Sequence, residues 1–197
     1  MELHFRDISN YEDLQAFIKR AETEQKKLYL EVGFGSGIVF RQRVIKEKDV
    51  LHLGFELKRD FVNRIEKFAQ KNNFDNIMVK RVDAKYILPR FIKPESFDKI
   101  FIYYPDPWWK KKHKKYILFD YYFIADLYRT LKKGGKLNIK TDVVDYFELI
   151  KEKFSKFGYF QECDFNDFAA ENFKSTFEIK ALKAGRSLHK TAYCKNS

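Results

Sequence analysis

The chain has 197 residues, 45% of them apolar and 34% charged, with 39 Lys and Arg against 28 Asp and Glu and a formal net charge of +11. That length and apolar share describe one domain with a sizeable core and exclude a disordered chain, and no apolar run reaches the ~18 residues of a membrane span. The basic excess favours a polyanionic partner, nucleic acid first, although a lysine-rich surface that binds nothing has the same sum.

In chain order, residues 1–7 lack the apolar core of a secretory signal, so the expected location is the cytoplasm. Ser9-Asn10-Tyr11-Glu12 has the form of a capping box, and Leu14, Phe17, Ile18 and Ala21 follow at helical spacing, which predicts a helical N-terminal segment within 1–26. Residues 27–32 are a short β-prone run that breaks at Gly33-Phe34-Gly35-Ser36-Gly37, after which Ile38, Val39 and Val44 predict a helix. A second strand is expected at 50–56, ending in Glu56, and then a helix with Phe61, Ile65 and Phe68 on one face. A third strand is expected at 76–81, running into Val82-Asp83-Ala84.

The fourth strand, 97–104, ends in Pro105-Asp106-Pro107-Trp108-Trp109 and the basic block 110–115. Each proline lacks an N–H and pushes the residue before it toward extended backbone, so the strand stops and Asp106 is held at its carboxyl end. A helix is expected over 117–131, closed by Lys132-Lys133-Gly134-Gly135, then a fifth strand at 135–140 with Thr141-Asp142 at its end. A helix through Phe147, Ile150 and Phe154 follows, and strands at 159–163 and 187–194 form an edge hairpin around a long loop, 164–185. The alternation predicts a single α/β domain over 1–197: a Rossmann-like sheet, mostly parallel, with a C-terminal antiparallel edge hairpin.

Cys163 and Cys194 stand apart, without the spacing of zinc ligands or the number of a disulfide framework, and read as reduced packing residues. The four histidines are scattered as well, so no metal site is expected. The glycines are spaced G-x-G-x-G, and Glu56 lies about twenty residues on, where an acid accepts hydrogen bonds from ribose hydroxyls. Glu31, just ahead of the first glycine, would repel a pyrophosphate and attract a sulfonium or ammonium. That favours S-adenosylmethionine over a nicotinamide dinucleotide, while a strand-end acid paired with a lysine remains the plainer reading.

Glu31-Val32-Gly33-Phe34-Gly35-Ser36-Gly37, Gly54-Phe55-Glu56, Val82-Asp83-Ala84, Tyr104-Pro105-Asp106-Pro107-Trp108 with Lys110 and His113, Thr141-Asp142 and Ser175-Thr176-Phe177-Glu178 together resemble the tRNA (guanine-N7)-methyltransferase family. The likeness runs in order from about residue 28 to the C-terminus, with Ser175 where the family pattern begins with Thr. It implies a class I methyltransferase fold, S-adenosylmethionine as cofactor and tRNA as partner, with the methyl group placed on N7 of a guanine in the variable region. It also implies cofactor contacts for Glu31, Gly33, Gly35, Glu56, Asp83, Ala84 and Asp106. On the substrate side it implies Lys110, Asp142, Ser175, Thr176, Phe177 and Glu178, and it makes Asp106 the catalytic candidate.

The chemistry suits such residues. N7 carries a lone pair and no proton, so its methylation requires no base and leaves the purine cationic; alignment and charge are what a protein can supply. Asp106 either favours that charge or positions the base. Trp108 and Trp109 could stack on a base, one of them equally well being core, while 110–115 hold phosphates. Asp142 and Glu178 could accept from guanine N1–H and the N2 amine, or serve as a helix cap and a solvated acid. Three other readings stay open: a methyltransferase of this fold on another RNA or protein acceptor, a non-catalytic RNA-binding subunit, and a nicotinamide-dependent dehydrogenase, the last opposed by Glu31 and the glycine spacing. Monomer and homodimer are equally open.

Overall fold

The computed structural model describes residues 11–107 and 117–196. Its elements in chain order are α1 (Tyr11–Thr23), β1 (Lys27–Val32), α2 (Ile38–Lys46), β2 (Val50–Glu56), α3 (Arg59–Lys71), β3 (Ile77–Arg81), α4 (Ala84–Phe91) and β4 (Phe97–Tyr103). They continue with α5 (Tyr121–Thr130), β5 (Leu131–Thr141), α6 (Val144–Phe157), β6 (Phe160–Cys163), α7 (Phe168–Asn172), α8 (Thr176–Lys183) and β7 (His189–Lys195). The strands form one sheet in the order β3-β2-β1-β4-β5-β7-β6, parallel from β3 to β5 and antiparallel where β7 enters between β5 and β6. The expected α/β sheet with its antiparallel C-terminal hairpin is the observed one.

Side-chain alternation along the strands assigns the two faces. Leu28, Leu30 and Val32 of β1 join Leu14, Phe17 and Ile18 of α1, Ile87 and Leu88 of α4, Phe123 and Leu127 of α5 and Phe154 of α6 in the main core. Tyr29, between them, packs with Phe101 and Tyr103 of β4, Val39 of α2 and Ala169 and Ala170 of α7 on the opposite face. Glu31 shares Tyr29's parity, so its carboxylate is delivered to the side that carries α2 and α7.

Four expectations about the elements are corrected. The helix over 117–131 is α5, which starts at Tyr121 under the cap of Asp120 and ends at Thr130. Lys132-Lys133-Gly134-Gly135 therefore do not close a helix; they lie in β5, where the register with β4 slips between Phe97 and Lys99. The loop 164–185 holds two short helices, α7 and α8, capped by the side chains of Asp167 and Ser175. Tyr104 is not the last residue of an extended run: β4 ends at Tyr103, and Tyr104 has φ 53.

Cys163 and Cys194, expected to be reduced, are joined in a disulfide with Cα atoms 6.0 Å apart. Their 31-residue separation hides the proximity. The β6–β7 register sets Cys163 opposite Ala192 and Cys194 opposite Gln161, which makes the cysteines diagonal neighbours across the ladder. The helix at α1 is as expected, but its capping residue Ser9 lies outside the described residues.

Candidate active site

The order β1-β4 marks the point where the sheet reverses direction, with β2 and β3 added on one side and β5 on the other. In open α/β sheets the crevice beyond the strand ends at such a point takes ligands. Here the glycine turn leaves β1 and the Pro105-Asp106-Pro107 segment leaves β4, and between them lies a cavity of about 550 Å³. Glu31, Gly33, Gly35, Glu56, Asp83, Ala84, Asp106, Ser175 and Phe177 all line it. Nine residues singled out in the sequence are thus brought to one space, and one wall comes from each of β1, β2, β4, α4 and α8.

The turn is tied to β2 at two points. Gly33 N–H donates to the Phe55 carbonyl at 2.7 Å, and Gly35 N–H donates to Glu56 Oε2 at 2.9 Å. The other Glu56 oxygen accepts from the Leu57 and Lys58 amides at 2.8 and 3.0 Å. Asp83 caps α4 by accepting from Lys85 N–H at 2.9 Å. Gly33 and Gly35 have φ of 74 and 54, and a Cβ at either would meet nothing within 4 Å, so the bare backbone leaves room for an occupant.

Glu31 is 4% exposed and ion-paired with Arg43 of α2 at 2.5 Å. Burial pushes its pKa up, and Arg43 opposes that rise. Arg43, itself buried, also pairs with Asp167 and sits 3.7 Å from the centre of the Phe101 ring. Burial works against the Arg43 charge, but the two carboxylates outweigh it and hold the pKa above its ordinary value. Burial likewise opposes the charge of Asp167, and Arg43, the Tyr103 hydroxyl and the Ala169 amide overcome it and hold the carboxyl low. Glu31 thus both lines the cavity and has a cationic partner, an arginine where the plainer reading expected a lysine.

On the substrate side the structure separates what the sequence grouped. Ser175 caps α8, accepting from Glu178 N–H at 3.1 Å, and the Thr176 and Ser36 hydroxyls lie 3.2 Å apart, which joins α8 to the glycine turn. Phe177 is exposed at the cavity wall. Glu178 is no solvated acid: it is buried against Lys140, whose Nζ lies 3.4 Å from both carboxylate oxygens and 2.8 Å from the Ala170 carbonyl. Asp142 does not cap α6; it is ion-paired with Arg186 beyond α8. Asp142, Thr176 and Glu178 do not line the cavity. Lys110, Trp108, Trp109 and the rest of the basic block fall outside the described residues.

Arg43, Asp167, Lys140 and Tyr103, which line or support the site, were missed by pattern reading, and Tyr104 entered it only as part of the Pro-Asp-Pro motif. Arg43 had a signal: it falls on the same helical face as Phe40 and Val44, a cation inside an apolar stripe. Ser175-x-x-Glu178 is likewise a capping-box pattern that announces α8. Tyr103 shares the strand parity of Phe101, whereas Tyr104 is turned by its φ of 53, which no local pattern announces.

Residues 25–191 match the family model Methyltransf_4, described as "Putative methyltransferase". A tRNA (guanine-N(7)-)-methyltransferase of Campylobacter jejuni is 35% identical over 133 residues, 68% of this chain and 33% of that protein. One of Neisseria meningitidis serogroup C is 33% identical over 161 residues, 81% of this chain and 68% of its relative. The aligned part of the chain thus spans about a third of the length of the Campylobacter relatives. Among solved structures, Haemonchus contortus phosphoethanolamine N-methyltransferase 2 in complex with S-adenosyl-L-methionine superposes with a TM-score of 0.59 at 16% identity, over 87% of this chain and 49% of that one, a likeness of fold. This chain belongs to the tRNA (guanine-N7)-methyltransferase family.

Proposed function

We propose that the chain methylates N7 of a guanine in the variable region of tRNA, in the cytoplasm, using S-adenosylmethionine. The observation that carries this reading is the convergence on one cavity: the acid held between two prolines opens onto the same space as the glycine turn and its carboxylates. The cavity also fits the cofactor chemically. Glu31, Glu56, Asp83 and Asp106 are four carboxylates around a bare glycine turn, a surrounding for a cation with ribose hydroxyls and not for a pyrophosphate. When bound, the cofactor supplies a sulfonium methyl group: the N7 lone pair forms the new C–N bond, and the electrons of the broken C–S bond return to sulfur.

The residues of the chain then have alignment and charge to provide. Glu56 offers its acceptor oxygens beside the turn, and Glu31 sets a carboxylate at the end of β1. Asp106 is exposed and lines the cavity, and its proposed part is to favour the positive charge that develops on the purine. Between the two acids first considered for guanine, Asp142 is the accessible one. Its Arg186 partner is half exposed and can yield to the N1–H and N2 donors, whereas Glu178 is sealed under Lys140 and anchors α8. The basic excess supplies the attraction for RNA phosphates.

The test is incubation of the purified chain with labelled S-adenosylmethionine and unmodified tRNA, followed by digestion to nucleosides. Label in 7-methylguanosine is the expected result. Asp106→Ala should lower turnover by about a hundredfold or more while cofactor affinity falls much less. Label in another nucleoside, or an active Asp106→Ala protein, would overturn the assignment.

A further inference from the structure

The Glu31-Arg43-Asp167 cluster is only partly explained by support of the fold. Two carboxylates share one guanidinium, all three are buried, and only Glu31 lines the cavity. Arg43 turns one nitrogen, Nη1, toward Glu31 at 2.5 Å. It gives the other two to Asp167, Nε at 3.2 Å and Nη2 closer still. Asp167 is further held by the Tyr103 hydroxyl at 2.7 Å and the Ala169 amide at 3.1 Å, so it is locked in the arrangement that draws on Arg43. A cluster of two acids and one base keeps one negative charge in excess, and of its three members Glu31 is the one that lines the cavity.

We infer that Asp167, although outside the cavity, sets the charge felt inside it: by drawing on Arg43 it leaves Glu31 under-compensated, so the site prefers a cationic cofactor to its neutral product. The preference has a use in the cycle. Methyl transfer turns the sulfonium into an uncharged thioether, so the same carboxylate that holds the reactant loses its grip on the product. Asp167 is in this sense a positioning residue, acting through Arg43 and Glu31. It also begins α7, two residues ahead of the helical pair Ala169 and Ala170, so the cofactor-side charge and the segment leading to Ser175 and Phe177 share one buried anchor.

The inference rests on the cofactor reading above, and the experiment separates the two. Dissociation constants of S-adenosylmethionine and S-adenosylhomocysteine are measured by calorimetry, with no RNA present, for the native protein, Asp167→Asn, Glu31→Gln and the double variant. Asn keeps the size and the capping ability of Asp. Asp167→Asn should weaken the sulfonium ligand on the order of tenfold relative to the thioether, because Arg43, no longer drawn on by a second carboxylate, then compensates Glu31 more fully. In the Glu31→Gln background the same change should move the ratio less than about twofold, because the route through Glu31 is gone. Equal weakening of both ligands, an unchanged ratio, or full additivity would overturn the inference. Should Asp167→Asn not fold, Asp167→Ser, which also caps, is read by the same ratio. Native protein that binds neither ligand would instead refute the cofactor reading itself.

Discussion

Lys140 shows how a single residue can be decided by its neighbours. On β5 it follows Ile139, which faces the main core, so its own side chain goes to the opposite face, among Tyr103 and Phe165 and under α7 and α8. A lysine there must be paired, and Glu178 and the Ala170 carbonyl do it. Removing one member leaves a buried charge without a partner, which costs about 3–5 kcal/mol, whereas removing both is close to neutral. Lys140→Met should therefore lower the urea unfolding free energy by that amount, and Lys140→Met with Glu178→Gln should recover most of it. An additive double variant would show that the pair carries no coupling. None of this was legible from the sequence, where Lys140 is one of 39 basic residues and Glu178 a plausible surface acid.

Among the elements, the glycine turn is the clearest case of residues chosen for two different reasons. Gly33 and Gly37 share a left-handed φ, 74 and 71, so alanine at either brings backbone strain of about 1–2 kcal/mol. Their surroundings differ. A Cβ at Gly33 enters open space at the cavity wall, but at Gly37 it would lie 2.3 Å from Cδ1 of the buried Ile65 on α3. Gly37→Ala should thus cost a further 1–3 kcal/mol, roughly, through overpacking, seen as a lower melting temperature. Gly33→Ala should melt closer to the native protein yet lose about tenfold or more in cofactor affinity by calorimetry. The sequence revealed this turn because a strand, three glycines and a helix are local. It missed α7 and α8 because five- and eight-residue helices carry too few turns for periodicity, and their cap signals, Asp167 and Ser175, were the only local record.

For the whole molecule, stability in acid follows from a histidine buried in the sheet. His52 on β2 is buried between Tyr29 and Phe40, with Nε2 3.0 Å from the Glu47 carbonyl. Burial, and then the nearby Arg43, depress its pKa to about 4. In the unfolded chain the imidazole titrates near 6.5, so between those values the unfolded state binds a proton that the folded state refuses. Stability is full above pH ~6.5 and is lost as pH falls toward ~4; from pH 7 to 5 the loss from this group is about 2 kcal/mol. His52→Phe, which keeps the ring contacts, should reduce the drop in unfolding free energy over that interval by a similar amount. An unchanged drop would assign the acid sensitivity to other groups.

The sequence by itself determined the alternation of strands and helices, the glycine turn, the acids at the strand ends and the Pro-Asp-Pro break. All of these are encoded in neighbouring residues through side-chain period, glycine conformation and the missing proline N–H. Only the tertiary structure decided which of them meet. The β1-β4 adjacency brings Asp106 to the glycine turn, and the β6–β7 register joins Cys163 to Cys194. The packing of α2 and α7 on one face closes Arg43 between Glu31 and Asp167. Those meetings depend on sheet order and register, which are set by the burial of whole faces and leave no mark on any short stretch of chain.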